Sequence, residues 1–371
     1  MPNVIPYKSF CWSLGTTSFR TKNFNKTIEE QLSLLDEFWK LEENKSKSWS
    51  GNKDLQTRYY DFMQSKDFVE GNAGNKPKDA REKTSGLVDI GLIDDGRKLS
   101  NAGKALLKIT SENDFSSDNQ FQIAKDSYIY LKQLLKTYYN VDGHTVRPFM
   151  VLIHLLNKFD YLTLDEYTYL LPLCIGETET NEIIDGISKL RCRNISIDEI
   201  IVNRLMGMLN YKTALDYFID NEVTEELICE IGLNRKSRQY DKSYFKLYQA
   251  LHRVFVLNDI DNLISIYDAT RDIKIGKWWR NYLFDTTSEK AISNHPVAHL
   301  KTTLFNEVED ENTFKIAFFK IMHLFKAKAT LSDYLDLNRR YIKTTDVVLF
   351  EDDTIKSVSY THLRAHETDS Y

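Results

Sequence analysis

Basic side chains beside short turns and helix starts are the chemistry this chain offers, and the clearest set is Arg81, Lys83 and Thr84 followed by Arg97 and Lys98. Guanidinium and ammonium groups pair with phosphate oxygens and hydroxyls donate to them, so this set suits nucleic acid. A second set, Arg235, Lys236, Arg238, Lys242, Lys246 and Arg253, is accompanied by a single acid, Asp241. Tyr240, Tyr244 and Tyr248 recur at a spacing of four, which would place them on one helical face beside those charges. The strip reads as phosphate contact or, equally well, as a core-facing tyrosine stripe under a solvated basic face. A third, weaker signal is the turn Gly15-Thr16-Thr17-Ser18, where Thr17, Ser18 and the nearby Arg20 could hold a phosphate oxygen.

The first set needs elements to hold it, and the run from Asp79 to Lys108 supplies them. Asp79 can cap a helix over Ala80 to Leu87, with Gly86 and the β-prone Leu87-Val88 weakening its end. Leu92-Ile93, the turn dipeptide Asp95-Gly96 and Arg97-Lys98-Leu99 then read as a two-stranded wing, and Ser100 caps a second helix bearing Ala102, Ala105, Leu106 and Ile109. Helix, wing, helix is the order of a winged helix-turn-helix, which docks a helix into a DNA groove. This order predicts Leu87, Leu92, Leu99 and Leu106 in one core, with Arg81, Lys83, Arg97 and Lys98 exposed.

Composition narrows the class. A chain of 371 residues exceeds one core, and 41 Tyr and Phe with only 20 Gly and Pro favour a mainly α fold over a β-sandwich. Joined to the helix, wing, helix order above, this predicts a mainly α chain with a winged-helix-like subdomain carrying a small β wing. The four cysteines, at 11, 174, 192 and 229, have no zinc-finger or CxxC spacing, and a reduced cytoplasm fits them. No apolar run approaches the roughly 20 residues of a membrane span. A net charge of −5 is awkward for a nucleic-acid binder but does not exclude one, since binding depends on where the positive charge sits.

Along the chain, five segments are expected. Residues 1–52 form an N-terminal segment and a helix opened by a Thr27–Glu30 capping box, and 53–145 hold the first winged helix. Residues 146–232 form a second, helix-turn-helix-like module, in which Pro148 starts a helix bearing Phe149, Leu152, Ile153, Leu156 and Phe159 and Thr163–Glu166 forms another capping box. Helices then cover Ile197 to Leu209 and Lys212 to Ile231. Residues 233–356 carry the basic segment and a helical region ending in Asp346 to Lys356, which looks like a hairpin just begun. Residues 357–371, SVSYTHLRAHETDSY, resemble a translated sequencing-adapter tail and are expected to pack against nothing.

Taken together, WSLGTTSFR (Trp12 to Arg20), DAREKTSGLVDIGLID (Asp79 to Asp94), YLKQLLK (Tyr130 to Lys136), DYLTLDEYTYLLPLC (Asp160 to Cys174) and LSDYLDLNRRY (Leu331 to Tyr341) resemble the AlwI family of type II restriction endonucleases and, more distantly, related nicking endonucleases. The resemblance runs from Met1 to about Lys356. It implies a type IIS design that acts on double-stranded DNA, with a winged-helix recognition region, a helical linker and a C-terminal PD-(D/E)XK nuclease domain using Mg²⁺. It also implies a cognate DNA methyltransferase in the same system. The chain is expected to stop before the nuclease domain, so no catalytic residue carries over and no cofactor is expected within it.

Two D/E-x-K runs occur inside the chain. Glu43-Asn44-Lys45 lies in a polar loop, and Asp272-Ile273-Lys274, preceded by Asp259 and Asp261, adjoins a helix-like stretch without the strand that a nuclease core requires. His295 and His299 bracket Pro296, and His362 and His366 lie in the tail without the glutamate of HExxH. The competing readings are a non-catalytic winged-helix regulator and a helical protein-interaction scaffold.

Overall fold

The computed structural model describes residues 5–15, 21–233, 238–259, 263–293 and 304–358, with only the backbone for Arg238 and Gln239. The structure is mainly helical with two small antiparallel sheets. The first helices are α1 (Phe24–Lys40), α2 (Lys53–Ser65), α3 (Lys76–Asp89), α4 (Asn101–Glu112) and α5 (Lys125–Lys136). A hairpin of β1 (Tyr139–Val141) and β2 (His144–Val146) leads to α6 (Pro148–Phe159) and β3 (Tyr161–Thr163). Then come α7 (Glu177–Arg191), α8 (Ile197–Gly207), α9 (Leu209–Asp220), α10 (Glu225–Glu230), α11 (Tyr244–Phe255), α12 (Leu263–Arg271), α13 (Gly276–Phe284) and α14 (Glu289–Ser293). The long α15 (Glu311–Lys343) precedes β4 (Val348–Glu351) and β5 (Thr354–Ser357).

Two contact-defined units emerge, and neither is continuous in sequence: Trp12–Gly176 with Asp333–Tyr371, and Met1–Cys11 with Glu177–Ser332. In the first, Ile28, Leu32 and Leu35 of α1 are fully buried, and Phe38 meets the Tyr59 ring edge-on at 5.0 Å. Gly103 lets α4 touch the chain beneath it, because a Cβ there would lie 2.1 Å from the Leu92 carbonyl oxygen. Gly15, at φ +65, leaves room for the Tyr341 ring, 2.3 Å from where its Cβ would be. The second sheet runs β3-β5-β4, all antiparallel, so β3 pairs with a strand from the far end of the chain.

The unit of Met1–Cys11 and Glu177–Ser332 has an aromatic core. The Tyr248 and Phe318 centroids lie 5.2 Å apart, and those of Trp279 and Phe325 also 5.2 Å. Within it Lys326 Nζ donates to Asp241 Oδ2 at 2.8 Å, with side chains only 5% and 7% exposed.

Several local expectations change. Helix α3 begins three residues before Asp79, capped by Asn75, whose side chain accepts from the Lys78 N–H at 3.1 Å. It continues through Gly86 because Leu87 is wholly buried, and that burial outweighs weak propensity. Asn23, not Thr27, stands at the start of α1. The expected wing over Leu92 to Leu99 reduces to one bridge, Ile93↔Leu99, and the φ of +62 in its turn belongs to Arg97 rather than Gly96. Lys212 to Ile231 is split between α9 and α10. The Thr163–Glu166 box forms reciprocally, at 2.8 and 3.1 Å, but opens a π turn at Glu166–Leu170. The hairpin after Asp346 is complete. Ser357 pairs with Val348, and the Val358 N–H donates to the Val347 carbonyl at 3.0 Å, so the last segment packs at its start. Residues 359–371, including His362 and His366, lie outside the described residues.

Removing one partner of a buried ion pair leaves the other charge desolvated, typically at a cost of about 3–5 kcal/mol. Lys326→Met should therefore lower unfolding stability by about that much in urea titration, and Lys326→Met with Asp241→Leu should recover most of it. A single variant as stable as the parent would mean the pair is not desolvated.

Candidate nucleic-acid interface

Helix α3 and the turn after it bring the first basic set together, but the members have different surroundings. Arg97 is half-buried. Its Nε donates to Thr84 Oγ1 at 3.0 Å, its Nη1 to the Asp95 carbonyl at 2.9 Å, and its guanidinium lies 5.7 Å from the centre of the Trp49 ring. The Arg97 carbonyl accepts from Trp39 Nε1 at 2.7 Å, and the exposed Lys98 ammonium lies 5.2 Å over the Trp39 ring. Thr84 has no exposed surface, and its hydroxyl also donates to the Ala80 carbonyl at 2.8 Å. It positions Arg97 rather than facing solvent.

Arg81 is exposed and donates to Gln56 Oε1 at 2.5 Å. Two residues on, about 200° round the helix, Lys83 is half-buried beside Thr21, Thr27 and Asp67. The four cations thus do not share one face. Leu87, Leu92 and Leu106 are wholly buried and Leu99 is half-buried. Burial also pushes the Asp89 carboxyl up to about 6, while the Arg97 charge pulls the other way. Burial lowers the Arg97 pKa, and neighbouring Asp95 and Asp89 oppose that shift.

The second basic set is largely neutralised where it is described. Lys242 pairs with Glu225 at 3.0 Å and Lys246 with Asp272 at 3.4 Å. Arg253 lines a cavity of about 730 Å³ together with Glu222, Asp268, Asp272 and Glu311. The tyrosines do not form one stripe: Tyr244 and Tyr248 are buried on α11, while Tyr240 sits in the preceding turn at 70% exposure. Thr17, Ser18, Arg20, Arg235 and Lys236 lie outside the described residues, as do His295 and His299, and the Arg238 side chain is not described.

Two further polar surfaces had gone unread. On α15, Arg339 and Lys343 stand one turn apart, 5.4 and 5.5 Å from the centre of the Phe350 ring on β4. Arg340 is held by Asp336 at 2.9 Å, but among the described residues Arg339 has no carboxylate partner. Burial and then the Arg339 charge lower the Lys343 pKa. The Tyr167 ring meets Phe350 edge-on at 5.3 Å, fixing the platform. The second surface is the outer side of the β1–β2 hairpin. The dipeptide Asp142-Gly143 between Tyr139–Val141 and His144–Val146 was the signal for it, a two-residue turn between alternating strands.

Metal-dependent cleavage would need convergent carboxylates. Among the described residues no group of three His, Cys, Asp or Glu side chains could hold a metal ion. Asp272 follows α12 in a turn and Glu43 pairs with Arg58, so neither D/E-x-K run lies on a strand. The described residues do not fit a divalent-ion site, and no catalytic step is assigned to them.

The model of one family, the AlwI restriction endonuclease, matches residues 88–368. No curated protein matches, and neither does any solved structure.

The geometry around Arg97 makes it a structural residue. Arg97→Ala should cost about 1–3 kcal/mol, since charged hydrogen bonds and a ring contact are lost together. Lys98→Ala, which exposes little, should cost under about 0.5 kcal/mol. Equal urea midpoints for Arg97→Ala and the parent chain would contradict this assignment.

Proposed function

The chain belongs to the AlwI restriction endonuclease family, whose substrate is double-stranded DNA, and from that premise we propose that the unit of Trp12–Gly176 and Asp333–Tyr371 is its duplex-docking part. In this reading the enzyme is of type IIS, this unit is its recognition portion, and its wing is the β4–β5 hairpin rather than the Leu92–Leu99 turn. The reading draws on the order α6, β3, then the end of α15, β4 and β5, with the sheet arranged β3-β5-β4. A first strand paired with the last, and the last two strands forming a hairpin, is the arrangement of a winged helix. Mg²⁺ and a companion methyltransferase belong to the same reading of the whole enzyme. Among the described residues no helix is long and apolar enough to cross a membrane, and work on DNA in the cytoplasm suits the proposal.

The observation that carries the proposal is the Arg339 and Lys343 pair on Phe350. Two like charges one helical turn apart repel unless an anion lies between them, and a DNA phosphate is such an anion. The turn at Asp352-Asp353 is acidic, so phosphate contact comes from α15 and not from the tip. Arg81 and Lys98 are exposed and add sequence-independent attraction. The regulator and scaffold alternatives gain nothing from the family match.

Fluorescence anisotropy with a labelled duplex at several salt concentrations tests the proposal. Each phosphate contact contributes about 0.9 to the slope of log affinity against log salt, so Arg339→Ala with Lys343→Ala should flatten that slope by about 1.8. Affinity should fall alike for all sequences. No binding at low salt, or an unchanged slope in the double variant, would refute it.

A further inference from the structure

The β1–β2 hairpin turns through Asp142 and Gly143, whose φ values of 48 and 86 are both left-handed, as a type I′ turn requires. Its register is Tyr139↔Val146, Asn140↔Thr145 and Val141↔His144. The inner face is anchored by Val141 and Val146, only 6% and 4% exposed. Continuing the register outward places Tyr138 opposite Arg147, so Tyr138, Asn140, Thr145 and Arg147 share the outer face. All four are exposed.

This face is polar, cationic and held in place. Thr145 Oγ1 lies 2.9 Å from Asn140 Oδ1, donating to it and orienting the amide so that its N–H groups remain available. Pro148 begins α6 immediately after Arg147 and restricts its backbone. Among the described residues, Arg147 and the exposed Lys136, at the end of α5, have no carboxylate partner. Asp142, in the turn, is the nearest acid in sequence and is half-buried. Tyr138 is the single large apolar group on this face, which offers too little apolar surface for the core of a protein interface.

We propose that this outer face is a base-reading ribbon that enters the major groove of duplex DNA. It rests on the reading that this unit docks duplex DNA, and adds which residues discriminate sequence. A two-stranded ribbon fits a groove about 12 Å wide. The Arg147 guanidinium reads a guanine edge through two parallel N–H donors, the Asn140 amide N–H groups donate to base acceptors, and the Thr145 methyl can meet a thymine methyl. Lys136 contacts phosphate and carries no sequence information.

The test begins with selection of bound duplexes from a randomised pool by the full chain, followed by anisotropy on the selected duplex and a scrambled one. Arg147→Ala and Asn140→Ala should each reduce the ratio of specific to non-specific affinity roughly ten- to a hundredfold, with binding to the scrambled duplex changed less than about twofold. Lys136→Ala should weaken both duplexes alike. Thermal melting of each variant, expected to match the parent because these side chains are exposed, separates misfolding from lost contact. If the parent discriminates and both variants keep its ratio, the ribbon does not read bases. A parent chain that binds duplex without sequence preference would also overturn the ribbon while leaving docking intact. A parent that binds no duplex would overturn docking itself.

Discussion

The Leu14 backbone N–H donates to Asn338 Oδ1 at 2.8 Å, and the unit of Trp12–Gly176 and Asp333–Tyr371 depends on what that bond fixes. Asn338 is 2% exposed, and one turn on Tyr341 packs edge-on against Phe24 at 4.8 Å and fills the space left by Gly15. An N-terminal segment beginning at Trp12 and the end of α15 therefore form one side of a single core. Because α15 is an α-helix, locking Asn338 and Tyr341 inward sends Arg339 and Lys343 to another face, over Phe350. The placing of the cation pair over the Phe350 ring of β4 follows from that orientation. The amide bond alone is worth about 1 kcal/mol, so its importance lies in the register it sets rather than in its strength.

Charge count and charge placement part company in this chain. The six basic side chains from Arg235 to Arg253 look like a DNA-binding strip, yet Lys242 and Lys246 are paired with Glu225 and Asp272, and the one local acid, Asp241, is buried against Lys326. Those partners come from elsewhere in the sequence. Arg97 is held by Thr84 and Trp49, and Lys98 lies over Trp39 while staying exposed. Arg339 and Lys343 lie in the short run NRRYIK, and Arg147 and Lys136 stand singly, so none belongs to a long basic strip. A cation without a local acid is a stronger sign of an anionic ligand than a cluster whose members are each matched.

Helical faces were legible because burial follows a 3.6-residue period: Ile28, Leu32 and Leu35, and likewise Phe149, Leu152 and Leu156, are buried as spaced. The cap at Ser100 was equally local. The hairpin expected over Leu92 to Leu99 is reduced to a bridge for a physical reason. Asp95-Gly96 and Asp142-Gly143 carry the same turn signal, but only the second is flanked by strands that alternate inward and outward directly beside a two-residue loop. Around the first, burial of Ile93 and capture of Arg97 by Thr84 and Trp49 produce a bridge and a bend. The β3–β5 pairing joins Leu162 to Ile355, a contact that no local pattern encodes. What the family resemblance added was the polymer to be docked, and it left the contacting residues to geometry.

Docking of duplex DNA on the unit containing the β1–β2 hairpin and the end of α15 should be visible in amide hydrogen exchange on the full chain. With saturating duplex, exchange should slow in peptides covering residues 136–147 and 339–351, with little change over 242–255. Protection confined to 242–255, or none anywhere in the presence of bound duplex, would contradict it.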